Sequence, residues 1–251
     1  MNPGNPTEKQ LITLSRIAAS ATQNDQFNTA AALQIGADSG FSLEQLYEGL
    51  LQLLTYIGYP RTIHALMTFH TTFPTYSATQ ESRPLEPWTG AAGIVWPDRG
   101  ESIFKALWGG DALTKSRLSE LSPELAEWII ADTFGRITGR PALNLLEREA
   151  IVIGSLIAQD ASREIATHRR AVLNMGGYEG LVEALIEGVN DLVPADLYIR
   201  ARETMDHMIS GSATRVMRST TAGMTVRLPQ AEAGSAEGGR RWHKQESDNS
   251  N

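Results

Sequence analysis

The chain predicts an all-α fold, and three observations carry that expectation. Apolar residues recur at spacings of three and four through most of the chain. Helix starts and stops punctuate those stretches, and nowhere does the strict alternation of a strand appear. Two similar hexapeptides, Ala31-Ala32-Leu33-Gln34-Ile35-Gly36 and Ala171-Val172-Leu173-Asn174-Met175-Gly176, lie 140 residues apart in matching contexts. One helical unit is therefore expected twice.

The elements follow in order. Leu11, Leu14, Ile17 and Ala18 share one helical face, which predicts a helix over 7–22 with Thr7 as N-cap. A second helix is expected over 25–36, ending near Gly36. Ser42 and Gln45 have the spacing of a capping box, opening a third helix whose face is Leu46, Leu50, Leu53 and Leu54. Tyr56-Ile57-Gly58-Tyr59-Pro60 ends it, and Pro60 opens the fourth. Residues 71–100 hold four prolines, several glycines, Trp88 and Trp96, and read as an ordered loop region. Trp108-Gly109-Gly110 is a helix stop.

Leu121-Ser122-Pro123-Glu124 is a capped start leading to Phe134. Helices are expected over 144–159, 161–175 and 179–191, and Pro194 starts a last one running to about Ser210. Thr225 to Leu228 suits a short extended arm, and residues 230–251, rich in Gly, Ser, Glu and Asn, have the composition of a disordered tail. The expected organisation is a first repeat over 7–70, a connecting loop and short helices over 71–118, a second repeat over 119–210, and a C-terminal arm and disordered tail over 211–251.

Composition limits the chemistry. Cysteine is absent from all 251 residues, which removes disulfides, thiolate nucleophiles and sulfur-ligated metals together. The net charge of -7 argues against a phosphate-binding nucleic-acid surface. No apolar run approaches the roughly 20 residues that cross a bilayer. No basic-then-apolar pattern opens the sequence, so the expected location is the cytoplasm.

Glu164 and His168 are four apart on one predicted helix, which puts both on one face within hydrogen-bonding reach. A carboxylate beside an imidazole fixes the ring and gives a usable general acid or base near neutral pH. Glu149 opens the apolar run Ala150-Ile151-Val152-Ile153 on the preceding helix, and antiparallel packing brings it toward His168 from the other side. A spaced Glu-His pair is more often a surface pair of small value. Arg140, Arg148, Arg163, Arg169 and Arg170 crowd the same region. Arg140, preceding Pro141 in a turn, is the preferred clamp for a substrate carboxylate. His64 and His70, six apart, do not share a helix face; His207 reads as structural or surface, and His243 lies in the tail. No motif of metal-ligand spacing occurs, so no metal is expected. Only the second repeat has a histidine ahead of its hexapeptide; Asn24 and Asn28 are read opposite Glu164 and His168. That asymmetry suggests duplication followed by loss of one site.

The motifs Phe134-Gly135-Arg136-Ile137-Thr138-Gly139-Arg140-Pro141-Ala142-Leu143, Arg148-Glu149-Ala150-Ile151 and His168 followed by Ala171 to Gly176 give the chain its likeness. With Gln10 to Leu14, Ala31 to Gly36 and Tyr56 to Pro60, they make it resemble the carboxymuconolactone decarboxylase and alkylhydroperoxidase-D-like superfamily over most of 7–210. The resemblance implies an all-helical unit, here duplicated, that assembles as a homo-oligomer, a dimer or trimer. The superfamily's peroxidases carry a cysteine pair at the places of Ala161 and Glu164, so sulfur chemistry is impossible here. What remains implied is cofactor-independent, decarboxylase-like proton transfer on a small unsaturated carboxylic acid or lactone. His168, Glu164 and Glu149 would be catalytic, and Arg140, Tyr56 and Trp88 would line a pocket composed from both repeats. A cyclase or isomerase acting on a larger cyclic substrate, with Trp88 and Trp96 shaping the pocket, is the alternative. A non-catalytic assembly or ligand-binding relative is the other.

Overall fold

A computed structural model describes residues 5–77, 89–90, 93–109 and 112–209. Trp88, the 225–228 arm, the 230–251 tail and His243 lie outside the described residues. The fold is all-α, apart from one antiparallel pair of two-residue strands, β1 (Thr89–Gly90) and β2 (Gly93–Ile94).

Four helices make the first half. α1 (Glu8–Thr22) starts on a complete Thr7–Gln10 capping box, and α2 (Gln26–Asp38) on Asp25, whose carboxylate accepts the Asn28 amide hydrogen. α3 (Leu43–Gln52) starts on the Ser42–Gln45 box. α4 (Leu54–Thr72) is two helical runs joined at a kink. The kink is Gly58, at φ 70 and ψ 175, a conformation that only glycine adopts without strain. The helix therefore breaks within Tyr56 to Pro60, as expected, with Gly58 as the break and Pro60 early in the second run.

The connecting region is more helical than its composition suggests. α5 (Val95–Trp108) begins inside the stretch read as loop, and α6 (Ala112–Leu121) follows it. α7 (Pro123–Trp128), capped by Ser122, continues into a π-helical segment, Ile129–Thr138, packed along α5. In the second half, α8 (Leu145–Ala158) starts on an Asn144–Glu147 capping box. α9 (Ser162–Asn174), α10 (Leu181–Glu187) and α11 (Ala195–Ile209) complete it. The 179–191 helix is shorter than expected, because Asn190, Leu192 and Val189 amides bond back into turns.

The core is built on the crossing of α1 and α8. Leu14, Ile17, Leu33, Leu50, Ile151, Ile153, Ile157 and Ile165 are buried in one cluster spanning both halves. Small residues let the two helices approach: Thr22 and Ser155 share a 3.0 Å hydroxyl hydrogen bond, and a side chain at Gly154 would collide with the Ser15 backbone. A second, aromatic cluster holds Phe104, Leu107, Trp108, Ile130, Phe134 and Ala171, joining α5, the π-helical segment and α9.

The two hexapeptides do not occupy equivalent places. Gly36 is buried inside α2, whereas Gly176 lies past the end of α9 at φ 90. Gly40, at φ 97, ends the first-half helix in that manner. Asn24 stands in the α1–α2 turn, not in a first helical turn as Glu164 does. The physical reason is periodicity: a slip of four residues is close to one helical turn, so apolar spacing reads the same before and after it.

Candidate functional site

α8 is buried along almost its whole length, from Glu147 to Ala158. A carboxylate on such a helix must find a partner or lose its charge. Glu149, only 3% of its side chain exposed, finds one across the α8–α9 interface: its Oε2 lies 2.7 Å from His168 Nδ1. An ionised carboxylate can only accept, so Nδ1 carries the hydrogen of this bond. Nε2 makes no hydrogen bond among the described residues.

Trp108, at the end of α5, packs edge-to-face on the imidazole with ring centroids 5.8 Å apart. Its indole N–H donates to the Thr167 carbonyl at 3.3 Å, and the Asn174 amide donates to the Leu107 carbonyl at 2.7 Å, so α5 is pinned to α9 on both sides of His168. Tyr56 approaches from the first half, packed on the core just before the Gly58 kink. Burial, and then the nearby Glu149 carboxylate, push its phenol well above its ordinary value. Tyr56 therefore keeps its proton as a neutral hydroxyl within reach of the Glu149 charge.

Glu164 does not join this group. It stands exposed in the first turn of α9 and makes no hydrogen bond to His168, whose Nδ1 is taken by Glu149. Spacing of four permits a pair on one helix but does not exclude a better partner on the next. Arg140, the residue preferred as a carboxylate clamp, is engaged within the fold. Its guanidinium grips Glu48 of α3 with two parallel hydrogen bonds of 2.7 and 2.8 Å. That carboxylate is 3% exposed, so Arg140 neutralises a charge of the fold itself.

Arg148 extends this network. It is 1% exposed, donates to Gln52 Oε1 at 2.8 Å and to the Arg140 carbonyl at 2.7 Å, and leaves its Nε without a partner. Burial pushes its guanidinium down to about 10, against the pull of Glu48, and it stays charged at neutral pH. Arg169 pairs with Glu179. His64 Nδ1 meets Asn24 Oδ1 at 2.9 Å, and His70 joins an aromatic group with Tyr47, Phe69 and Tyr76. Among the described residues no three His, Asp or Glu side chains are grouped to hold a metal ion. Trp96 is buried under Arg136, 5.4 Å from its ring, and away from the imidazole contacts given above.

Trp108 is the site neighbour that the sequence reading missed. Its signal was present: Phe104, Leu107 and Trp108 lie at helical spacing directly ahead of the glycine stop. Glu48 gave no such signal, because its partner lies 92 positions away.

The fold and site together define an all-helical protein with a carboxylate–imidazole pair held between two helices and covered by one tryptophan. Comparison of the chain with protein-family models and with curated proteins finds no match.

Proposed function

We propose that the protein is a cofactor-independent enzyme, similar to carboxymuconolactone decarboxylase, that moves protons with His168 on a small unsaturated carboxylic acid or lactone. The observation supporting this is the buried 2.7 Å Glu149–His168 hydrogen bond, with Nε2 left for a substrate. Glu149 holds the ring in one tautomer and stabilises its cation. As the bond to the departing carboxylate breaks, its electron pair spreads into the conjugated lactone. Nε2–H delivers a proton to the carbon that receives that charge, carbon dioxide leaves, and Nε2 recovers a proton from water. Tyr56 supplies a neutral hydroxyl able to donate to an oxygen of the substrate. With no cysteine in the chain, thiol peroxidase chemistry plays no part.

One observation favours a second reading. Arg140 is engaged by Glu48, so the preferred clamp for a substrate carboxylate is already occupied. An isomerase or cyclase needs no such clamp: the same imidazole takes a proton from one carbon and returns it to another. A homo-oligomeric state, dimer or trimer, belongs to the same proposal.

The test is to incubate the full chain with 4-carboxymuconolactone and follow carbon dioxide release, with His168→Ala and Glu149→Gln as controls. Release abolished in His168→Ala supports the decarboxylase. No release, but His168-dependent exchange of deuterium from D2O into unsaturated lactones, moves the assignment to an isomerase or cyclase. Neither signal from a folded protein leaves a binding or assembly role, and sedimentation equilibrium gives the subunit number.

A further inference from the structure

The two halves share a set of backbone turns that places their side chains in register. Asn24 and Asp160, 136 positions apart, are the two non-glycine residues with positive φ among those described, at 59 and 62. Around them, Asn24 N–H donates to Ala21 O as Asp160 N–H does to Ile157 O, and Asp25 N–H to Ser20 O as Ala161 N–H does to Leu156 O. The far ends of α2 and α9 match at the same separation. Gly40 N–H donates to Ala37 O as Gly176 N–H does to Leu173 O, and Phe41 N–H to Gly36 O as Gly177 N–H does to Val172 O. α1 and α8 end together in this register, and both are buried over the corresponding stretch except at Ile12 and Arg16.

The third helices each touch the first helix of the other half. Gly49 of α3 lies against α8, where an added Cβ would stand 3.1 Å from Ile151 Cδ1. Gly188, after α10, lies against α1, where an added Cβ would stand 2.6 Å from Ile12 Cγ2. One turn further on, Gln52 bonds Arg148 of α8, and Asp191 bonds Arg16 of α1. Each third helix thus reaches the first helix of the other half while packing more closely on its own, α3 on α1 and α10 on α8.

We infer that the chain contains two helical units built to one plan over α1–α2 and α8–α9, and that the first unit contains the vacated counterpart of the Glu149–His168 site, at Thr13 and Ala32. These two residues stand 136 positions before Glu149 and His168, on α1 and α2, and both are buried, at 3% and 4% exposure. A hydroxyl and a methyl fill the space that carboxylate and imidazole fill in the second unit. Tyr56 stands 136 positions before Leu192, so the second unit offers no phenol at the matching place. The chain therefore carries one carboxylate–imidazole pair where its architecture has places for two. This inference concerns the architecture and does not rest on the proton-transfer reading.

The experiment is to build the missing pair in the full-length protein, Thr13→Glu with Ala32→His, and to determine its crystal structure. The expected result is a second carboxylate–imidazole hydrogen bond of about 2.7 Å across α1 and α2, like the native one. Because a new buried charge is costly, Thr13→Gln with Ala32→His is made in parallel as the uncharged version of the same contact. A folded variant whose new imidazole turns elsewhere overturns the inference. So does failure of both variants to fold, since a place built to the same plan accepts an imidazole and its partner.

Discussion

Arg140 gives the sharpest test of what the buried charges do. Replacing it with Met keeps much of the aliphatic stem and removes the fork that grips Glu48. Glu48 is left 3% exposed, having lost two charge-assisted hydrogen bonds of 2.7 and 2.8 Å. Breaking a buried pair from one side costs about 3–5 kcal/mol in general. Here there is a ceiling, because the stranded carboxylate escapes by taking a proton. From an ordinary Glu value of about 4.3 to pH 7, that escape costs about 3.7 kcal/mol, at about 1.36 kcal/mol per unit. Arg148, whose guanidinium feels the Glu48 charge, remains in place and offsets part of the loss. The expected cost is therefore about 2–3 kcal/mol at pH 7.

The sign of the pH effect follows. A carboxyl that holds its proton more tightly when folded weakens the fold at high pH, and the penalty fades as pH falls toward the unfolded value. At pH 5 the ceiling drops to about 1 kcal/mol. Urea unfolding of parent and variant at both pH values measures this directly. A cost below about 0.5 kcal/mol at pH 7, or an equal cost at both, refutes the reasoning.

Other outcomes can be checked alongside. Gly154→Ala forces a Cβ onto the Ser15 backbone at the α1–α8 crossing and should cost at least about 1–3 kcal/mol of overpacking, read as a fall in Tm. Tyr56 should remain protonated in a spectrophotometric titration at 295 nm, so a folded Tyr56→Phe variant should lose no tyrosinate signal below pH 11; a lost signal would mean that its hydroxyl is not buried beside the Glu149 charge. Arg16, through hydrogen bonding first, holds the Asp191 carboxyl below the ordinary value of 3.8. Its stabilisation is complete above that value and lost as pH falls through the lowered one. Asp191→Asn should then cost about 0.2–1 kcal/mol at neutral pH and less near pH 2, by urea unfolding.

Local chemistry made most helices legible. Thr7, Ser42 and Ser122 start helices where their side chains were expected to cap, and the 144–159, 161–175 and Pro194 expectations agree with α8, α9 and α11 within two residues. Those signals lie within a few residues of what they control. The π-helical segment was invisible, since the apolar periods of α and π turns are too close to separate in ten residues. At the site, the nearness of Glu149 to His168 was readable from two adjacent helices, whereas the choice of Glu149 over Glu164 was not. That choice depends on burial: Glu149 has no water to turn to, while Glu164 does. The pairing of Arg140 was not readable either, because nothing near it in sequence announces Glu48.

Burial also explains why this chain keeps one carboxylate–imidazole pair rather than two. The α1–α8 crossing and the third helices packed beside it are supported by apolar and small residues in both halves, so the architecture stands whether or not a charged pair occupies either place. A buried carboxylate and imidazole add desolvation cost without being needed for packing. Thr13 and Ala32 are what such a place holds when stability alone decides. That the other place holds Glu149 and His168, with Trp108 of α5 packed on the imidazole, is therefore an argument for use rather than for folding.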